Sequence, residues 1–215
     1  GEYCAIAVAG GMCDLDAIRT VRSRGIFMEH AAPEGSGAMS AVLGMDAAVI
    51  EDVLDGREGV SIANYNCPGQ IVITGEAAAV AEAGTALKEA GARRVLPLKV
   101  SGPFHSPMMR PAGEELAKVF AGVSMNPLKI PYVANINAEV ITDCGKIEGL
   151  LVEQVSGSVR WQQSVETMIR EGVDTFVEIG PGKTLTGFLR KIDKNVKAYH
   201  IGSWEEAVQV CEELK

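Results

Sequence analysis

His105 lies in SGPFHSPMM, residues 101–109, and is one of only three histidines in the chain. Gly102-Pro103 fixes the backbone before it, and Ser106-Pro107 follows at the start of a segment with helical spacing. Such flanks hold an imidazole in one place, as a general base requires. They suit equally a histidine that only fills a turn, and the residues leave both readings open. A base also needs a nucleophile. Cys67, in NYNCPGQ, offers a thiol, yet a cysteine in a turn before proline is usually just small and buried.

Arg24 is the second residue with chemical promise. One helical turn away lie Val21, Phe27 and Met28, all apolar, and the polar but uncharged Thr20. That spacing turns the guanidinium inward, where it lacks an anion, and a bound carboxylate would supply one through paired hydrogen bonds. The competing reading is a surface arginine beside Arg19 and Arg22. GPGKT at 180–184 suggests a phosphate loop, but the full pattern requires a glycine six residues before Lys183, and Val177 stands there. A tight turn near the site is the better reading. His30, His105 and His200 fall on different elements and form no metal-ligand pair, so no metal is expected.

The elements that must position these residues follow from periodicity and punctuation. A short apolar helix spans 3–9, and a second, capped by Asp14 or Asp16, runs to Pro33. Residues 37–100 read β-α-β-β-α-β, with a Cys67-Pro68-Gly69 turn between two strands and Gly91 closing a helix. This is the split βαβ order of a ferredoxin-like unit. Beyond 101, helices are expected at 106–121, 146–155, 161–171, 184–191 and 204–214. Strands are expected at IPYVAN, DTFVEIG and KAYHIG. Such alternation implies an α/β fold with a parallel sheet covered on both faces.

Bulk properties exclude several classes. The 215 residues are 47% hydrophobic and carry a formal charge of −8, against the basic face a nucleic-acid binder needs. No apolar run reaches the ~18 residues of a spanning helix, so no membrane association is expected. The five cysteines form no CxxC pair and suit a cytoplasmic chain.

Six segments share a further property. GEY at 1–3, VRSRGIFM at 21–28, NYNCPGQIVITG at 64–75, GPFHS at 102–106, VRW at 159–161 and EIGPGKTLTG at 178–187 together resemble the malonyl-CoA:acyl-carrier-protein transacylase family. These are the acyltransferases of fatty-acid and polyketide synthesis. The resemblance covers the whole chain. It implies an α/β-hydrolase-like large subdomain (1–36 and 101–215) with an inserted ferredoxin-like small subdomain (37–100). The family's nucleophile is a serine in a Gly-His-Ser-x-Gly elbow followed by Glu-Tyr. Gly1-Glu2-Tyr3 matches the end of that motif, which puts the serine just upstream of Gly1 and outside the chain.

Carried over by position, His105 becomes the base and Gln154 the residue that orients it, where hydrolases use an aspartate. Arg24 pairs with the free carboxylate of malonate. Phe104 belongs to the GPFH form that accompanies malonyl rather than methylmalonyl units, and Asn66 and Met28 line the pocket. The implied reaction is ping-pong transfer of malonyl from CoA, through a malonyl-serine, to the phosphopantetheine thiol of acyl carrier protein. CoA is a substrate here, and no cofactor is implied. Arg190, Lys191, Lys194 and Lys197 form the densest basic stretch, either a mouth for anionic partners or a solvated face. A polyketide acyltransferase, a hydrolase of similar fold and an inactive fragment are the alternatives.

Overall fold

The computed structural model describes residues 1–215. Two helices open the chain, α1 (Glu2–Val8) and α2 (Asp14–His30). The cap of α2 is Cys13 rather than Asp14 or Asp16: its Sγ accepts the Asp16 N–H at 3.4 Å. The two aspartates sit instead in the first turn, where their charge complements the helix dipole.

Next come β1 (Gly37–Leu43), α3 (Ala47–Leu54), β2 (Val60–Cys67), β3 (Gln70–Glu76), α4 (Ala77–Glu89) and β4 (Arg94–Pro97). The strands form one sheet in the order β2-β3-β1-β4, and every pairing is antiparallel. Period-two alternation divides the sheet's faces. Val42, Ile50, Ile73 and Leu87 fill a core beneath α3 and α4, whereas Met39, Ala41, Ala63 and Val72 form a small cluster on the opposite face. β4 stops at Pro97, short of the expected residue 100, and Leu98 keeps only a single bond to Met39 O.

The remaining elements are α5 (Arg110–Phe120), β5 (Tyr132–Val133), β6 (Val140–Ile141), α6 (Ile147–Ser156), α7 (Trp161–Arg170), β7 (Thr175–Ile179), α8 (Thr184–Ile192), β8 (Lys197–Ile201) and α9 (Trp204–Glu213). The helix expected from residue 106 starts as a 3₁₀ turn over Pro107–Met109. Pro111 lacks the N–H for a continuous α ladder there but is well placed in the first turn of α5.

The expected strand at IPYVAN does not join a parallel sheet. Tyr132 and Val133 pair antiparallel with Ile141 and Val140, closing a hairpin across a turn in which Ala138 N–H donates to Ala134 O. Parallel pairing is confined to β7 with β8 and one bridge between Asn64 and Val159. β7 and β8 are half-exposed along most of their length rather than covered on both faces. The main core is helical, built by Ile6, Met28, Leu116, Phe120 and Leu151. The chain is thus α/β with mixed sheets.

Candidate active site

His105 has φ of +60°, one of only two non-glycine residues with positive φ. A side chain in the left-handed region costs roughly 1 kcal/mol or more and persists only where the surroundings over-determine it. They do here. Ser106, fully buried, donates its hydroxyl to Pro103 O at 2.7 Å, and Phe104 N–H donates to Gly102 O at 3.0 Å. Pro103 lies flat on Gly37: a Cβ at position 37 would fall 2.3 Å from Pro103 Cγ. Phe104 is half-buried and packs against both the helical core and the small cluster under β1, so it spans the two.

The imidazole is fixed by main-chain carbonyls. Nδ1 lies 3.2 Å from Gln154 O and 3.1 Å from Gly157 O. Two acceptors at one ring nitrogen require that nitrogen to carry the proton, which leaves Nε2 with a free lone pair. Gln154 therefore meets the ring through its main chain. Its side-chain Nε2 sits 3.4 Å from Nδ1, too poor a match for two N–H groups, and donates to Gly157 O at 2.9 Å. Gln154 is only 5% exposed, and its Oε1 has no partner.

Burial lowers the His105 pKa, and the positive charge of Arg24 lowers it further, while the two carbonyl bonds oppose the shift. Arg24 is thus close enough for its charge to act on the ring. It is half-buried, and its guanidinium makes no ion pair or hydrogen bond with the protein. Burial also depresses its own pKa, partly offset by Tyr3 and Glu2. Val21, one turn away, is 42% exposed, so the apolar surround expected from spacing comes from Phe27 and Met28 alone. Met28 itself sits in the main core.

Asn66 is half-buried on β2, at an irregularity in pairing with β3 between Tyr65 and Cys67. The same strand binds the segment after α6: Val159 N–H donates to Ala63 O at 2.7 Å, Tyr65 N–H to Val159 O at 2.9 Å, and Ser158 Oγ to Ile62 O. Residues 157–160 thus form a strap connecting His105 to β2. VRW at 159–161 overlaps this strap, but the carbonyl oxygens that hold His105 carry no side-chain pattern of their own.

Other readings lose support. Cys67 is 0% exposed, and burial raises its pKa, so it is a packed thiol rather than a ready thiolate. At GPGKT, the N-terminus of α8 already holds an anion. Glu178 accepts the N–H groups of Leu185 (3.0 Å) and Thr186 (2.7 Å) and the Thr186 hydroxyl (2.6 Å). Burial alone would raise that carboxyl's pKa, but these bonds hold it below the ordinary value. A phosphate would have to displace it. His30 and His200 bond Ile26 O and Gly180 O respectively, away from His105. Arg190, Lys191, Lys194 and Lys197 are all exposed.

Residues 1–210 match the acyl transferase domain family. The chain belongs to this family. Within it, the chain is 44% identical over 219 residues to the malonyl CoA-acyl carrier protein transacylase of Bacillus subtilis, covering 100% of this chain and 69% of that protein. It is 44% identical to the protein of the same name from Escherichia coli K12, covering 89% of this chain and 63% of that one. The chain therefore spans about two thirds of the length of these relatives. The crystal structure of the Clostridium perfringens malonyl CoA-acyl carrier protein transacylase superposes with a TM-score of 0.95 at 39% identity, covering 100% of this acyl transferase domain and 68% of that chain. A malonyl-transacylase in complex with a type II PKS acyl-carrier protein superposes with a TM-score of 0.92 at 39% identity, over 99% of this chain and 70% of that one.

Proposed function

We propose that the chain supplies the base, the carboxylate clamp and the acceptor-facing surface of a malonyl-CoA:acyl-carrier-protein transacylase. The nucleophilic serine is contributed by residues that precede Gly1. The observation that carries this reading is the His105 ring, with Nδ1 anchored by two carbonyls and Nε2 unpartnered within range of the Arg24 charge.

In the first half-reaction the serine Oγ attacks the malonyl thioester carbonyl and its proton passes to His105 Nε2. The C–S bond then breaks, and Nε2 returns the proton to the departing CoA thiolate. In the second, the phosphopantetheine thiol gives its proton to Nε2 and attacks the ester. The C–O bond breaks, and serine recovers the proton. Nδ1 stays protonated throughout, because Gln154 O and Gly157 O hold it. Carbonyl dipoles stabilise the transient imidazolium less than an aspartate would, which keeps the ring a mild base.

Arg24 pairs with the free carboxylate of malonate. An acetyl group would leave that guanidinium without an anion. Phe104 limits the space beside the base and disfavours an α-methyl branch, and Asn66 lines the far wall with Met28 behind Arg24. Arg190, Lys191, Lys194 and Lys197 form the face toward carrier protein and CoA phosphates. CoA serves as a substrate, and no cofactor is used. The antiparallel βαββαβ unit, with strand order 4-1-3-2, is read as a ferredoxin-like subdomain over 37–100. Residues 1–36 and 101–215 are read as part of an α/β-hydrolase-like subdomain, working in the cytoplasm. The relative bound to a type II PKS acyl-carrier protein favours a second reading, a polyketide carrier as acceptor.

The test is label transfer from malonyl-CoA and from acetyl-CoA to fatty-acid and polyketide carrier proteins, using the polypeptide that joins this chain to its upstream elbow. Malonyl-labelled carrier protein is expected, with acetyl transfer far slower. Release of free malonate with no labelled carrier would make the protein a hydrolase instead.

A further inference from the structure

The proposed reaction uses His105 and Arg24 but gives no task to a half-buried carboxylate in the first turn of α1, facing the hairpin turn. Glu2 Oε1 accepts the main-chain N–H of Asn135 at 3.1 Å, and Oε2 accepts Asn135 Nδ2 at 3.0 Å. The two residues are 133 positions apart. Burial raises the Glu2 pKa, while the two Asn135 bonds and the nearby Arg24 charge act in the opposite direction. A carboxylate drawn out of water to bind one asparagine twice is a costly way to hold a surface turn together.

Following the bonds onward shows what this turn holds. Asn135 O accepts the N–H of Arg160 at 2.9 Å, at the end of the 157–160 strap. The strap carries Gly157 O, one of the two acceptors of His105 Nδ1. The path runs from the first turn of α1, through Asn135 and Arg160, to the carbonyl that selects the tautomer of the base. On the other side, the strap's bonds to Ile62, Ala63 and Tyr65 fix it against β2. Arg160 takes part in this path through its main-chain N–H alone, and the Glu2 carboxylate is the one ionised group that bonds along it.

We infer that Glu2 is a positioning residue: its bidentate bond to Asn135 sets the register between the start of α1, where the nucleophile enters, and the strap that orients His105. This rests on His105 being the base, as proposed above. Glu2 touches neither substrate nor base. It acts through Asn135 and the strap, and a loosened register costs rate rather than substrate affinity, because Arg24 keeps its own place on α2.

Side-chain chemistry dictates the test. In Glu2→Gln, the amide oxygen can still accept the Asn135 N–H, and the Asn135 amide can turn over to accept from the new NH₂. Asn135→Asp instead sets carboxylate against carboxylate, and the double variant Glu2→Gln/Asn135→Asp restores a matched donor and acceptor. The polypeptide with its elbow is assayed at mildly alkaline pH, with kcat and KM for malonyl-CoA measured separately. In parallel, the His105 Nδ1–H resonance is followed by ¹H–¹⁵N NMR.

Glu2→Gln is expected to stay within about threefold of wild type. Asn135→Asp should lose roughly 10- to 100-fold in kcat with KM little changed, as for a small misplacement of reacting groups. The Nδ1–H resonance should broaden or vanish in that variant. Both kcat and the resonance should return in the double variant, which also separates the effect from simple misfolding. Wild-type kcat in Asn135→Asp, a double variant as impaired as that single one, or a kcat loss with the resonance unmoved would each overturn the inference. A wild-type protein without malonyl transfer would sink the proposed function, while the resonance series would still test the Glu2 tie.

Discussion

At the level of single residues, the proposed chemistry turns on a ring whose protonation is set by its neighbours. Burial and Arg24 lower the His105 pKa, so the neutral, proton-accepting form persists further into acid than it would for an ordinary imidazole. The acid limb of the kcat/KM profile should therefore fall below the free-histidine range. Arg24→Ala removes one of the two depressing influences, so that limb should move toward higher pH. The same variant should lose roughly 30-fold in preference for malonyl over acetyl, from about 2 kcal/mol of charge-assisted hydrogen bonding. Rates for both thioesters across pH measure the two effects together, and an unshifted limb with unchanged preference would place Arg24 outside the site. The sequence made His105 conspicuous because Gly-Pro and Ser-Pro bracket it, and those flanks do hold the loop. Its partners were illegible for a plain reason: Gln154 O and Gly157 O are carbonyl oxygens, which every residue possesses. Glu2 was equally hidden, since its partner lies 133 positions away.

Elements were easier to read than the contacts between them. Helix and strand bounds follow periodicity closely where glycine marks an end, as at Gly69 and Gly91, whereas the α-helix expected from residue 106 begins only at Arg110. The hairpin of β5 and β6 escaped notice because two-residue strands leave no alternation to detect. Of the expected parallel sheet the chain shows the pairing of β7 with β8, since apolar runs reveal a strand but not the strand beside it. One contact between elements lends itself to experiment. Gly37 begins β1 and leaves room for the Pro103 ring, two residues before His105. A proline ring cannot swing away as a long side chain would, so Gly37→Ala must push the whole 103–105 loop. Overpacking of this kind costs about 1–3 kcal/mol, and a displacement approaching 1 Å costs roughly 100-fold in rate. Denaturant melts and kcat should both register it. Loss of stability at full kcat would show that the loop absorbs the shift elsewhere.

Across the whole molecule, the helical core meets the sheet's small cluster of Met39, Ala41, Ala63 and Val72 at Phe104. The sheet of residues 37–97 has short connections, antiparallel pairing throughout and its own buried set around Val42, Ile50, Ile73 and Leu87. The region from α7 to α9 is organised differently: β7 and β8 pair only with each other and stay half-exposed, so little apolar surface holds them to the rest. Regions with few buried contacts open at lower free energy than a well-packed sheet. Both tryptophans, Trp161 and Trp204, begin helices in this second region, and neither lies in the sheet of 37–97. Tryptophan emission therefore reports on α7–α9, whereas far-UV circular dichroism averages over every helix and strand. In urea the emission midpoint of residues 1–215 should fall below the dichroism midpoint, because the two probes follow regions of unequal stability. Phe104→Ala should lower the dichroism midpoint and so narrow that gap, because the ring packs against the helical core and the sheet cluster rather than against α7–α9. Its stability cost should be about 2 kcal/mol, below the range for a fully buried phenylalanine because the ring is only partly covered. It should also raise turnover of methylmalonyl relative to malonyl thioester in the polypeptide that carries the elbow. Coincident transitions in both proteins would mean that α7–α9 and the rest of the chain unfold as one cooperative unit.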